Sequence, residues 1–248
     1  MKAFKLSAAA ALALAIAGCG GGTDSAGNTT AQQNFKIEQV AAPNGGDWTQ
    51  MVSQTPQGGF IMGNPDAKVK LVEFGSMTCG ACGAFSEEGV PQLTEKYVKS
   101  GQVSFEFRNF VRDGADMAAA LVARCNGPSA FFPLTDQLFA AQEDWLGNLQ
   151  KMTPEQQQQL NALSPAESTA SLAQAAGLVD FARLRGIPAA RAQACLADQA
   201  QVQRLVEINQ TAVREYQVPG TPAFVINNRL VEAANWAQLE PAIQQALR

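Results

Sequence analysis

The chain has 248 residues, 46% of them hydrophobic, enough for one large domain or a domain carrying an insertion. A formal net charge of −4 without any dense basic stretch argues against a nucleic-acid partner. Histidine is absent, which removes Ser-His and Cys-His nucleophile pairs, histidine metal sites and the usual general base near neutral pH.

The first residues read as an address. Lys2 and Lys5 form a positive n-region, and Leu6 to Ala17 is an apolar stretch too short to span a bilayer comfortably. Two cleavage readings follow. Ala15-Ile16-Ala17 fits the A-x-A pattern of a plainly secreted protein, whereas Ile16-Ala17-Gly18-Cys19 resembles the bacterial lipobox, whose cysteine is acylated and becomes the new N-terminus. The polar, glycine-rich run from Gly20 to Thr30 is a suitable tether for a lipid-anchored domain, and the lipidated reading is preferred. The expected organisation is a signal peptide over 1–18, lipidated Cys19 with a flexible tether over 19–34, and an N-terminal extension over 35–62. Gly20 rather than Asp after the cysteine points to the outer membrane, facing the periplasm.

The extension is broken by Pro43, Gly45-Gly46 and Gly58-Gly59, with one edge strand expected at Phe60-Ile61-Met62. After the turn signal Gly63-Asn64-Pro65-Asp66, the apolar run Val69–Phe74 reads as a central strand. From Cys82 onward, Phe85, Gly89, Leu93 and Tyr97 keep helical spacing, with a kink expected at Pro91. Gln102–Arg108 alternates at period two and reads as the next strand. This β-helix-β order implies a parallel pair with a right-handed crossover. Between 113 and 216 strand-like runs disappear. Helices are expected around Met117–Arg124 and Phe131–Ala141, at the cap signals Thr153-Pro154 and Ser164-Pro165, and after Pro188. Val202, Leu205, Val206, Ala212, Val213 and Tyr216 mark one face of a long amphipathic helix. A strand at Ala223–Ile226, a turn at Asn227-Asn228, Leu230-Val231 and a helix over Trp236–Leu247 close the chain.

The five cysteines carry the distinctive chemistry. Cys79-Gly80-Ala81-Cys82 follows the central strand and opens a helix, so two thiols can meet with little backbone movement. The unpaired amides and dipole of the helix end favour a thiolate at Cys79. That arrangement suits a disulfide made and broken repeatedly. Lipidation of Cys19 leaves Cys125 and Cys195, 70 positions apart. In an oxidising compartment they are expected to pair, the alternative being two buried free thiols. A Cys-x-x-Cys zinc half-site would need two further ligands that the chain does not offer, so no metal and no cofactor are expected.

A strand ending in Glu73-Phe74, the Cys-x-x-Cys, a helical insertion and Val218-Pro219-Gly220-Thr221-Pro222-Ala223-Phe224 together resemble the DsbA-like branch of the thioredoxin superfamily over residues 58–248. The resemblance implies an α/β, thioredoxin-like fold, formed by 63–112 and 217–248, with an all-helical subdomain inserted over 113–216. It implies a thiol-disulfide oxidoreductase of the bacterial cell envelope, with oxidation of protein thiols favoured over reduction or isomerisation. Cys79 would attack and Cys82 resolve. Thr221-Pro222 would be a cis bond, with the Thr221 backbone pairing to an extended substrate. Glu73 would be a buried acid that shuttles the Cys82 proton; its other reading is an ordinary strand-end carboxylate in water.

The implied partners are protein substrates with thiols or disulfides and a membrane or periplasmic redox partner, with membrane attachment through the N-terminal lipid. No heptad-bearing arm precedes the domain, so a monomer is expected. The chain departs from strongly oxidising members in holding Gly80-Ala81 where they carry Pro-His. With no side-chain donor between the cysteines, a less depressed Cys79 pKa and a weaker oxidant are expected. The competing reading is a lipid-anchored binding or structural module whose Cys79–Cys82 disulfide is inert.

Overall fold

The computed structural model describes residues 36–248. The leader, Cys19 and the whole tether lie outside the described residues.

Six strands form one mixed sheet: β1 (Val52–Gln54), β2 (Phe60–Met62), β3 (Val69–Gly75), β4 (Val103–Asn109), β5 (Ala223–Ile226) and β6 (Arg229–Val231), in the order β1-β2-β4-β3-β5-β6. Only the β3–β4 pair is parallel, as the β-helix-β reading requires; every other neighbour is antiparallel. Asn227 and Asn228 turn β5 into β6, both with positive φ (48° and 66°), which the tight twisted hairpin demands. Strand β1 was not expected. Three residues are too few to show a period, and pairing with β2 is what defines it.

The crossover starts with α1 (Gly80–Glu88), which gives way at Gly89 to α2 (Val90–Gln92) and then to a wider π turn over Leu93–Val98. Pro91 falls in the first turn of α2, where its missing N–H costs no helical bond. The change of helical register therefore occurs at the Gly89-Val90-Pro91 step rather than by a sharp break in one continuous helix.

Eight helices lie between β4 and β5: α3 (Gly114–Arg124), α4 (Pro128–Ala140), α5 (Gln142–Gln150), α6 (Pro154–Asn161), α7 (Pro165–Ala175), α8 (Leu178–Arg183), α9 (Ala189–Leu196) and α10 (Gln199–Tyr216); α11 (Trp236–Leu247) follows β6. Thr153 and Ser164 each form a full capping box, with Gln156 and Glu167 reaching back to the cap amides. On α10 the buried stripe is Leu205, Ile208 and Ala212, while Val206 and Val213 are 37% and 56% exposed. The apolar face inferred from sequence was thus rotated, because it omitted Ile208 and counted two solvent-facing valines.

One sheet face carries an aromatic core. Phe131 of α4 stacks on Phe60 at 4.0 Å and meets Phe107 at 5.8 Å, and Phe132 meets Phe105 at 5.6 Å. The alternation in β4 suggests a wet second face, yet all seven of its residues are buried. Glu106 and Arg108 make this possible by forming a two-pronged ion pair, Nε–Oε1 at 2.8 Å and Nη2–Oε2 at 2.9 Å. Thr55 donates a further bond to Glu106 at 2.6 Å, and the Arg108 guanidinium lies 5.9 Å from the Tyr216 ring of α10.

Candidate active site

Strand β3 delivers the chain to the loop Ser76–Thr78, and Cys79 is the N-cap of α1, in extended conformation. Its sulfur therefore stands at the helix end whose first amides have no helical acceptor. The loop itself is fixed by a buried carboxylate. Asp116 accepts from the Ser76 hydroxyl at 2.6 Å, the Met77 amide at 2.7 Å and the Arg112 amide at 2.9 Å. The Arg112 guanidinium then donates to Ser76 Oγ and Thr78 Oγ1, each at 2.9 Å. From the first position of α5, Gln142 donates to the carbonyls of Met77 and Cys79 at 2.8 and 3.1 Å.

The two thiols are unequal. Cys79 is 6% exposed and Cys82 fully buried, and both are free thiols in this structure. A hydrogen bond from Cys82 is the main influence that lowers the Cys79 pKa from 9.0 to about 5. Partial burial opposes it, while the Thr221 side chain and the Cys82 and Ala81 amides assist. Cys82 moves strongly upward, first because its S–H serves the Cys79 sulfur and then because it is buried near Glu73. At neutral pH the pair therefore holds one thiolate and one protonated thiol. Besides the helix-end amides that the sequence reading counted, Cys82 and Thr221 lower the Cys79 pKa where Gly80-Ala81 offers no side-chain donor.

Thr221 and Pro222 lie across from this pair, joined by a cis peptide bond. When protonated, Cys79 donates to the Thr221 carbonyl at 3.2 Å. The Thr221 hydroxyl is buried without a hydrogen-bond partner, and its nearness favours the ionised Cys79 sulfur. Glu73, on β3 opposite Phe224 of β5, is 1% exposed. Its Oε1 has no hydrogen-bond partner, and burial, reinforced by the charge on Cys79, raises its pKa well above the carboxylate range. The solvated strand-end alternative does not describe this side chain.

Glu73, Cys79, Cys82, Thr221 and Pro222 thus converge at one end of the sheet. Cys125 and Cys195 do not join them. Cys125 caps the C-terminus of α3, Cys195 belongs to α9, and their sulfurs are bonded to each other within the helical segment. Asp116, Arg112 and Gln142 were missed in the sequence. Asp116 sits three residues after the cap Asp113, where an acid reads as an ordinary first-turn residue, and only the fold turns it toward Ser76 and Met77.

A family model described as thioredoxin matches residues 55–245. The solved protein-disulfide isomerase of Novosphingobium aromaticivorans is similar at 36% identity and a TM-score of 0.72, over 76% of this chain and 96% of that one. The Wolbachia pipientis alpha-DsbA1 structure shares the fold at 19% identity and a TM-score of 0.62, over 79% of this chain and 93% of that one. A Rickettsia bellii protein named provisionally as a protein-disulfide oxidoreductase is 24% identical over 76% of this chain, which spans 64% of that protein's length. With the family model matched over most of its length and the overall fold shared with these structures, the chain belongs to the thioredoxin family and has the DsbA-like form of its fold.

Proposed function

We propose that the chain is a protein thiol-disulfide oxidoreductase that exchanges a Cys79–Cys82 disulfide with thiols of protein substrates, in the direction of substrate oxidation. The observation that carries this reading is the Cys79 sulfur itself. It stands at a helix N-terminus, three positions before the fully buried Cys82 thiol, and is 3.2 Å from the Thr221 carbonyl. The names of the similar Novosphingobium and Rickettsia proteins support the same chemistry.

In the oxidised protein a substrate thiolate attacks Cys79 Sγ, a mixed disulfide forms, and the Cys79–Cys82 bond breaks with its electron pair on Cys82. Glu73, whose burial favours the protonated carboxyl, gives Cys82 its proton. A second substrate thiolate then attacks the substrate sulfur of the mixed disulfide, and Cys79 leaves as a thiolate. Two electrons have moved from substrate to the pair. Thr221 offers its backbone to the extended substrate segment. A Cys79 pKa of about 5 stabilises the reduced form, which makes the disulfide the stronger oxidant and favours oxidation over reduction. A separate redox partner must then remove the two electrons.

In this reading the protein works in the cell envelope, tethered through lipidated Cys19. The support is the sequence Ile16-Ala17-Gly18-Cys19 with the polar run behind it. Mass analysis of the mature N-terminal peptide tests the anchor, since an unmodified Cys19 overturns it. The exchange itself is tested with Cys82→Ser, which leaves no resolving thiol. Mixed disulfides with envelope proteins are expected on non-reducing gels and should vanish in Cys79→Ser; a clean monomer band in Cys82→Ser overturns the reading. For direction, titration against glutathione decides, and a potential near thioredoxin's, about −270 mV, argues against a net oxidant.

A further inference from the structure

A groove of 1210 Å3 runs from the start of α1 along α4 to β1 and β2. One end of it is lined by Gly80 and Gly83 of α1, the residues that follow Cys79 and Cys82 in the chain. A Cβ at Gly80 would meet nothing within 4 Å, so the space next to Cys79 is open. The opposite wall is apolar at Phe132 and Phe139. Such a volume exceeds the range of about 300–1,000 Å3 usual for small-molecule pockets, and fits several residues of an extended chain.

The groove is also one-signed. Glu87 of α1, Glu95 of the π turn, Asp136 of α4, and Glu143 and Asp144 of α5 line it, and no Lys or Arg does. The chain as a whole carries 18 basic and 22 acidic residues, so this lining is a local departure from near balance. Two simpler accounts cover part of it. Glu143 and Asp144 complement the helix dipole at the first turn of α5, and Glu95 pairs with Lys99 at 2.8 Å. Neither explains why Glu87 and Asp136 come from two different walls of the same cleft. A cleft walled by one sign of charge focuses its field and concentrates ligands of the other sign.

We propose that this groove seats the segment of an unfolded polypeptide that flanks the reacting cysteine, and selects segments carrying Lys or Arg among apolar residues. The inference rests on the exchange reading above. Long basic side chains lay their methylene stems along the Phe132 and Phe139 wall while the charged heads meet the carboxylates. The same cations lower the pKa of the neighbouring substrate thiol, so the segments that dock best also present more of the attacking thiolate.

The test uses the oxidised full chain and two peptides of equal length and apolar content, each with one cysteine, flanked by Lys in one and by Glu in the other. Rates of peptide oxidation are normalised to each peptide's rate with a small uncharged disulfide, 2-hydroxyethyl disulfide, which removes the intrinsic thiol difference. The Lys peptide is expected to react about tenfold faster, and the gap should close to within about twofold in high salt. The double variant Glu87→Gln, Asp144→Asn should lose most of the gap. Equal normalised rates, or a gap that salt leaves intact, overturn the groove while the exchange reading stands. Should the double variant fail to fold, the salt comparison in the native chain still decides. Should neither peptide be oxidised, the exchange reading fails, and the groove is then judged from Cys→Ser forms of both peptides: tighter binding of the Lys peptide supports it, equal affinity overturns it.

Discussion

Cys79 and Cys82 differ by only one helical turn, yet their surroundings drive the two thiols in opposite directions. Because the Cys79 pKa lies below the ordinary thiol value of 9.0, its ionisation stabilises the dithiol form above that value, and the contribution is lost as pH falls through about 5. Reduction of the pair therefore takes up one proton above that point and two below it. The potential should fall by about 30 mV per pH unit above the break and about 59 mV below it. Equilibration with thiol buffers across pH 4–8 measures this, and a slope without a break removes the assigned ionisation. Asp116 gives a second test at this scale. Its pKa is raised to about 6, chiefly by burial, and it satisfies two donors of the loop that carries Cys79 together with the Arg112 amide. Asp116→Ala leaves those donors without their acceptor, and a loss of about 3 kcal/mol in urea unfolding is expected, with slower alkylation of Cys79. The cysteine pair was legible because two thiols at this spacing after a strand have few other uses. The residues that tune it were not, since Asp116 and Gln142 reach it across 37 and 63 positions of chain.

Local signals named the elements well wherever they were chemical rather than periodic. Thr153-Pro154 and Ser164-Pro165 mark helix starts because hydroxyl cap and proline each solve a problem that exists only there, and both starts are found. Periodicity was weaker. β4 alternates apolar and polar residues as a half-wet strand does, but α10 and Thr55 in the turn after β1 pack against its polar side, and the sequence contains no local sign of that cover. The Glu106–Arg108 pair that results has side chains only 9% and 7% exposed. Removing one partner strands the other charge in the interior. Glu106→Ala is expected to cost about 3–5 kcal/mol in equilibrium unfolding, well above the cost of about 0–1 kcal/mol for an exposed pair such as Arg214–Glu215. A cost of that smaller size for Glu106→Ala would mean water reaches Arg108.

At the scale of the molecule the helical segment between β4 and β5 is what distinguishes this fold from a bare β-α-β sheet protein, and its texture was plain from the loss of strand-like runs after residue 113. Its packing was not plain, nor was the acidic groove, because both depend on which faces of α1, α4 and α5 meet. The Cys125–Cys195 bond closes a loop of 70 residues that contains α4 to α9. Tying those ends together restricts the unfolded chain far more than the folded one, where α3 and α9 already pack side by side. The chain-entropy relation then gives a stabilisation of about 4 kcal/mol. The double variant Cys125→Ser, Cys195→Ser should lose a stability of that order in urea, with the Cys79 thiolate still forming near pH 5, because neither cysteine touches the donors around Cys79. A loss below about 1 kcal/mol would show that packing alone holds the insertion. A shifted Cys79 ionisation would show instead that the insertion reaches the active site, and the two outcomes are read from the same protein by denaturation and by thiolate absorbance.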